Sequence, residues 1–170
     1  WRNIRDGMKP DRAACSPRPL IWGAVLVLLG VFFVGWMCMG SIQFSQQGLV
    51  GADGHYHVRY SQIMAERGPL TTFPWTQASV HRDRFMDKDF LLHVLMVPFL
   101  GDDLRFGPKL LTSLLAALLW LLIAFIAWRH GFPAFWLAAL FLLAAGIQFN
   151  FRMSLTRPHL LSVLLAVGTA

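Results

Sequence analysis

The chain has 170 residues, 56% of them hydrophobic and 14% charged, with a net charge of +6. Soluble domains carry about 25% charged residues, so this composition excludes an ordinary water-soluble globule and points to lipid. Five basic groups against two acidic ones lie in residues 1–19, whereas residues 41–109 hold seven of each sign, so no basic stripe of the kind nucleic acid needs is present.

Residues 1–19 form a basic tail with Arg2, Arg5, Lys9, Arg12 and Arg18. A basic segment ahead of a first span marks the cytoplasmic side. Leu20–Met39, "LIWGAVLVLLGVFFVGWMCM", is 20 uncharged residues, enough to cross a hydrocarbon core of ~30 Å. It is too long for a signal-peptide core and no A-x-A site follows, so it reads as a retained anchor. Residues 40–107 are then an extracytoplasmic loop. Cys15 and Cys38 fall on opposite sides of the membrane, and no disulfide is expected between them.

In that loop, Tyr56, Tyr60, Ile63, Met64 and Arg67 recur at helical spacing up to a stop at Gly68-Pro69. Residues 68–84 carry two prolines and no period, which predicts extended chain. Phe90, Leu91, Val94, Leu95 and Pro98 mark a second amphipathic helix opened by Asp87 or Asp89, and helices of this type lie in the membrane interface. Further spans are predicted at 110–128 and 132–149, joined by a tight inner turn, with small residues such as Ala116, Ala117, Ala138 and Ala139 between them. A polar extracytoplasmic segment, 150–158, precedes a fourth span that opens at 159–170. The first residue is Trp1 and the last residues run into apolar sequence, so the chain reads as a piece of a longer protein. The fold class expected is all-α: a polytopic transmembrane helical bundle whose outer loop carries two amphipathic interfacial helices.

Just past the first span, "GADGHYHVRY" puts Asp53, His55, His57 and Arg59 at alternate positions, and "DKD" supplies Asp87 and Asp89 before the second helix. Carboxylates gathered there suit a hard divalent cation such as Mg²⁺ or Mn²⁺, imidazole shifts the preference toward Mn²⁺ or Zn²⁺, and a carboxylate also serves as a general base. Each residue has a plainer role as well. Asp53 stands where an N-cap belongs, one of Asp87 and Asp89 caps the next helix, and lone interfacial histidines need no ligand.

"DGHYHVRYSQIMAERGPLTTFPW" resembles the first outer-loop motif of oligosaccharyltransferase catalytic subunits, with Asp53, Tyr56, His57 and Arg59 at the motif positions. "RPHLLSVLL", from Arg157, is similar to a motif of bacterial members of the wider GT-C class of multi-span glycosyltransferases. The resemblance implies a polyprenyl-phosphate-linked sugar as donor, an acceptor on the extracytoplasmic face, and residence in the bacterial inner (plasma) membrane. It carries onto Asp53 contact with the acceptor or with a metal, His57 being a second possible ligand, and makes His55, Tyr56, His57, Arg59, Asp87 and Asp89 supporting groups. The later outer motif has Arg152, Arg157 and His159 and no carboxylate. Guanidinium groups bind phosphate bidentately, which assigns these three to the donor phosphate, with lipid headgroup binding as the simpler use. The competing expectation is a non-catalytic membrane transport, lipid-handling or assembly subunit.

Overall fold

The structure, a computed structural model, describes residues 18–137, 144 and 146–169. The described residues are helical, with no strand among them. Helix α1 is Arg18–Phe44, α2 Asp53–Arg67, α3 Phe90–Met96, α4 Phe106–Arg129, α5 Ile147–Ser154 and α6 Pro158–Gly168. Two of these, α1 and α4, are long and apolar enough to cross a membrane. Four spans were expected. Of the span predicted at 132–149, residues 138–143 and 145 lie outside the described residues, and residues 132–136 form a turn rather than a helix. Gly146, at φ +93°, starts a separate short helix there, so residues 147–149 belong to α5. Helix α6, with 11 residues, rises only about 16 Å.

Helices α1 and α4 form the most extensive helix–helix contact, and their side chains set how closely they approach. A methyl on Gly35 of α1 would stand 2.9 Å from the Trp120 ring, so the absence of a side chain there lets the indole lie against the α1 backbone. Ala116 and Ala117, expected to face the third span, are wholly buried in α4, whose principal neighbour is α1. Ala138 and Ala139 lie outside the described residues. The outward side of α1 shows Trp22, Leu26, Phe33, Val34 and Met37, an exposed apolar surface suited to lipid.

Both long helices run past the ends read from hydropathy. Helix α1 continues to Phe44 because Gln43 is fully buried and its amide donates to the Ser154 carbonyl. Helix α4 starts at Phe106, which brings the buried Lys109 into its first turn. The Lys109 ammonium donates to the carbonyls of Gln46 and Gln47 and sits 5.6 Å from the Phe44 ring. These bonds join the end of α1, the start of α4 and the end of α5 at one pole of the helix pair. The residues between α1 and α4 occupy the same pole.

Within that cap, α2 stops where predicted: Gly68 takes φ +78° and its N–H bonds to the Met64 carbonyl. The 68–84 stretch is a closed loop rather than extended chain. Phe73 N–H bonds to the His81 carbonyl, Phe85 N–H to that of Thr71, and the Phe73 and Phe85 rings stack at 4.9 Å. Helix α3 continues into a tight turn, Val97–Phe99, pressed against α4. A Cβ on Gly107 would fall 1.6 Å from the Phe99 carbonyl oxygen, so only glycine permits this approach.

The buried face of α3 differs from the amphipathic reading. Leu92, His93 and Met96 are buried, while Phe90, Leu91 and Val94 remain about half exposed. The exposed stripe is apolar, and the enclosed one contains a histidine.

Candidate functional site

The site begins with two glycines. Gly51 has φ +84°, and a Cβ there would meet Leu155 at 2.7 Å; one on Gly54 would touch Leu49 and Thr156 at 3.4 Å. Their bare backbone lets residues 155–157 pack directly on the start of α2. Thr156 is buried and shares a hydrogen bond with Thr112 of α4 at 3.1 Å. Arg157 follows in extended conformation, φ −140° and ψ 156°, as required of a residue before proline, and Pro158 opens α6.

This places Nη2 of Arg157 2.5 Å from Oδ2 of Asp53, with both side chains about half exposed. Asp53 is the first residue of α2, and the residue before it, Ala52, has helical geometry. The capping role expected for Asp53 is therefore replaced by an ion pair across 104 positions of sequence. Asp89 does occupy the residue ahead of α3, again with no side-chain capping bond. The turn is held instead by Asp87, whose Oδ1 accepts from the Asp89 N–H at 3.0 Å.

Next to the pair lies a cavity of about 460 Å³ lined by Arg152, Arg157 and His159, with Gly51 and Gln148. His159 Nε2 lies 2.6 Å from the Arg152 carbonyl and donates to it, which fixes that ring. Arg152 makes no ion pair among the described residues, and Nε of Arg157 is enclosed without an acceptor. The cavity is thus lined by two guanidinium groups, Arg152 exposed and without an ion pair among the described residues, the chemistry of an anion site.

The alternation of Asp53, His55, His57 and Arg59 is resolved by helical geometry. Residues four apart on a helix share a face, whereas residues two apart do not. Asp53 and His57 therefore lie along one face, Asp53 at its exposed end beside Arg157 and His57 buried, while His55 and Arg59 point to other, exposed faces. Arg59 donates to Gln62 at 2.6 Å and, with Tyr56, Tyr60, Phe73 and Trp75, lines a second cavity of about 300 Å³.

His57 is buried, and its Nδ1 lies 2.9 Å from Nε2 of His93. Nδ1 of His93 is 2.6 Å from Oδ2 of Asp87, so Asp87, His93 and His57 form a continuous hydrogen-bonded chain from α3 to α2. Burial lowers the His57 pKa below its ordinary value, and His93 acts in the same direction; the charges of Asp89, Asp53 and Asp87 oppose them. Tyr56, whose ring is 5.1 Å from that of His57, is pushed up by burial and by Asp87, Tyr60 and Asp89.

His93 was absent from the residues expected to carry chemistry. The signal for it was its place in the amphipathic segment, four residues after Asp89 and six after Asp87. For a metal, no group of three or more ligating side chains is gathered among the described residues. Oδ2 of Asp53 is held by Arg157, and Nδ1 of His57 by His93.

Comparison of the chain with protein-family models, curated proteins and solved structures finds no match.

Proposed function

We propose that this protein is an integral-membrane glycosyltransferase that moves a sugar from a polyprenyl-phosphate carrier to an acceptor on the extracytoplasmic face. The observation that supports it most is the contact between Asp53 and Arg157. It joins the acceptor-side carboxylate expected from the first loop motif to the arginines expected at the donor phosphate. In this reading α1 and α4 cross the inner membrane of a bacterium with the N-terminus in the cytoplasm, and the site sits at headgroup level.

The donor phosphate occupies the Arg152–Arg157–His159 cavity, where the Arg152 and Arg157 guanidinium groups supply donors. As the acceptor attacks the anomeric carbon, the bond from that carbon to the phosphate oxygen breaks and the electron pair leaves with the polyprenyl phosphate. Guanidinium groups stabilise the charge that develops there. Asp53 keeps Oδ1 for the acceptor while Oδ2 is tied to Arg157, so acceptor and donor are registered against each other. The exposed Phe90, Leu91 and Val94 of α3 suit contact with lipid beside the carrier chain.

The test is a deletion strain of the host complemented with wild type or Asp53→Asn, followed by mass spectrometry of lipid-linked sugar and surface glycan. The expected result is restoration by wild type, and accumulation of unused donor with Asp53→Asn at equal protein abundance. Equal restoration by both overturns the role of Asp53. A strain whose glycans are unchanged by the deletion returns the protein to a non-catalytic transport, lipid-handling or assembly role.

A further inference from the structure

The proton released by the acceptor needs a destination, and Asp53 is already engaged by a guanidinium. We propose that Asp87, His93 and His57 form a proton relay, with Nε2 of His57 as the general base that takes the acceptor's proton. This rests on the glycosyl-transfer reading, and it assigns a role to His93.

The tautomers follow from the hydrogen bonds. The Asp87 carboxylate can only accept, so Nδ1 of His93 carries the hydrogen. With His93 neutral, its Nε2 has a lone pair and accepts from Nδ1–H of His57. The last atom in the chain, Nε2 of His57, then has a lone pair and no hydrogen bond to a described residue. A carboxylate behind an imidazole fixes its tautomer and stabilises the imidazolium formed on proton uptake. Here a second imidazole extends that arrangement by one ring.

The enclosure suits this use. His93 is 0% exposed, His57 4%, and the Asp87 side chain 7%. The groups facing His57 are Asp53 on its own helix, Asp87, Asp89 and His93 from the α3 segment, and the Tyr56 ring, while the Tyr60 ring packs on His93. One helical turn separates Asp53 from His57, so the base and the acceptor-holding carboxylate are neighbours.

In the transfer step the acceptor oxygen bonds to the anomeric carbon, the phosphate departs with its electron pair, and the acceptor proton moves to Nε2 of His57. The Nδ1 proton of His57 can then pass to Nε2 of His93, leaving the positive charge beside Asp87. His57 is the catalytic residue, while His93 and Asp87 act through it as positioning residues.

Two measurements test this. In the complemented deletion strain, and in membranes assayed for turnover of lipid-linked donor, His57→Gln is expected to lower turnover about 10²–10⁴-fold. Asp87→Asn preserves shape but removes charge. It is expected to lower turnover and move the acid limb of the pH–rate profile to lower pH, because His57 loses a carboxylate whose charge favours its protonation. A purely structural Asp87 would change abundance and leave the limb in place. Turnover by His57→Gln and His93→Gln at the wild-type rate overturns the relay while the transferase reading stands. A strain whose lipid-linked sugars are unaffected by the deletion overturns both. Independently of substrate, ¹⁵N-histidine NMR of the intact protein in lipid nanodiscs is expected to show the hydrogen of each neutral ring on Nδ1, with Nε2 of His57 bare. A hydrogen on Nε2 of His57 overturns the relay, whatever the reaction.

Discussion

Asp53 and Arg157 meet at 2.5 Å although 104 positions separate them, and the ion pair closes the start of α2 onto the start of α6. Both side chains are about half exposed, where such pairs contribute about 0–1 kcal/mol. Arg157→Gln and Asp53→Asn are therefore expected to leave thermal unfolding nearly unchanged while sharply lowering turnover of lipid-linked donor. Parallel unfolding and donor-consumption measurements on the detergent-solubilised variants check this, and a large loss of stability would mark the pair as a structural clamp.

Gly107 has no room for a methyl against the Phe99 carbonyl, and a shift of backbone is needed to accept one. Overpacking of this kind costs about 1–3 kcal/mol, so Gly107→Ala is expected to lower the melting temperature and the yield of folded protein. Gly30→Ala in α1 is the control: nothing lies within 4 Å of the added carbon, and alanine suits a helix interior better by roughly 0.5–1 kcal/mol.

Lys109 holds the carbonyls of Gln46 and Gln47 just past the end of α1. Lys109→Met keeps most of the stem but strips both carbonyls of their donor. Gln46 and Gln47 are exposed, so water replaces the lost donor and the cost is that of the charge-assisted bonds themselves, about 1.5–3 kcal/mol. Loss of compactness at this pole should appear as faster hydrogen exchange at Ser45–Leu49, with the middle of α4 unaffected.

The pH dependence of stability has a definite sign. His57 has a folded pKa below its ordinary 6.5, so the unfolded chain binds more protons as the pH falls below that value. The stability linked to neutral His57 is fully present above 6.5 and is lost as the pH drops through the folded pKa. Unfolding followed from pH 8 to pH 5 should show this decline, and His57→Gln should flatten it.

Much of this was legible in the sequence, for identifiable reasons. The apolar runs located α1 and α4, Gly68-Pro69 ended α2, and Pro158 dictated the extended backbone of Arg157. The assignment of Arg157 to a site with Asp53 came from loop motifs at matching polarity, and the two residues do meet. What stayed hidden depends on distant partners. Helix α1 runs to Phe44 because Gln43 finds the Ser154 carbonyl, 111 positions away. His93 looked like the polar side of an amphipathic helix, whereas Asp87 and His57 make it an enclosed one. His55 drew notice through alternation, a strand's period that a helix turns away from the site.

The contact of Gly107 with Phe99 also has a mechanical meaning. The backbone of the turn after α3 bears on the first turn of α4 with nothing compressible between them, so α3 cannot slide along α4 like a mobile flap. His93 thus rides on the long apolar helix α4, and its separation from His57 is set by how that helix stands relative to α2. The aromatic loop bears on α2 instead, where the Phe73 and Phe85 rings pack against Tyr60 and wall the cavity beside Tyr56.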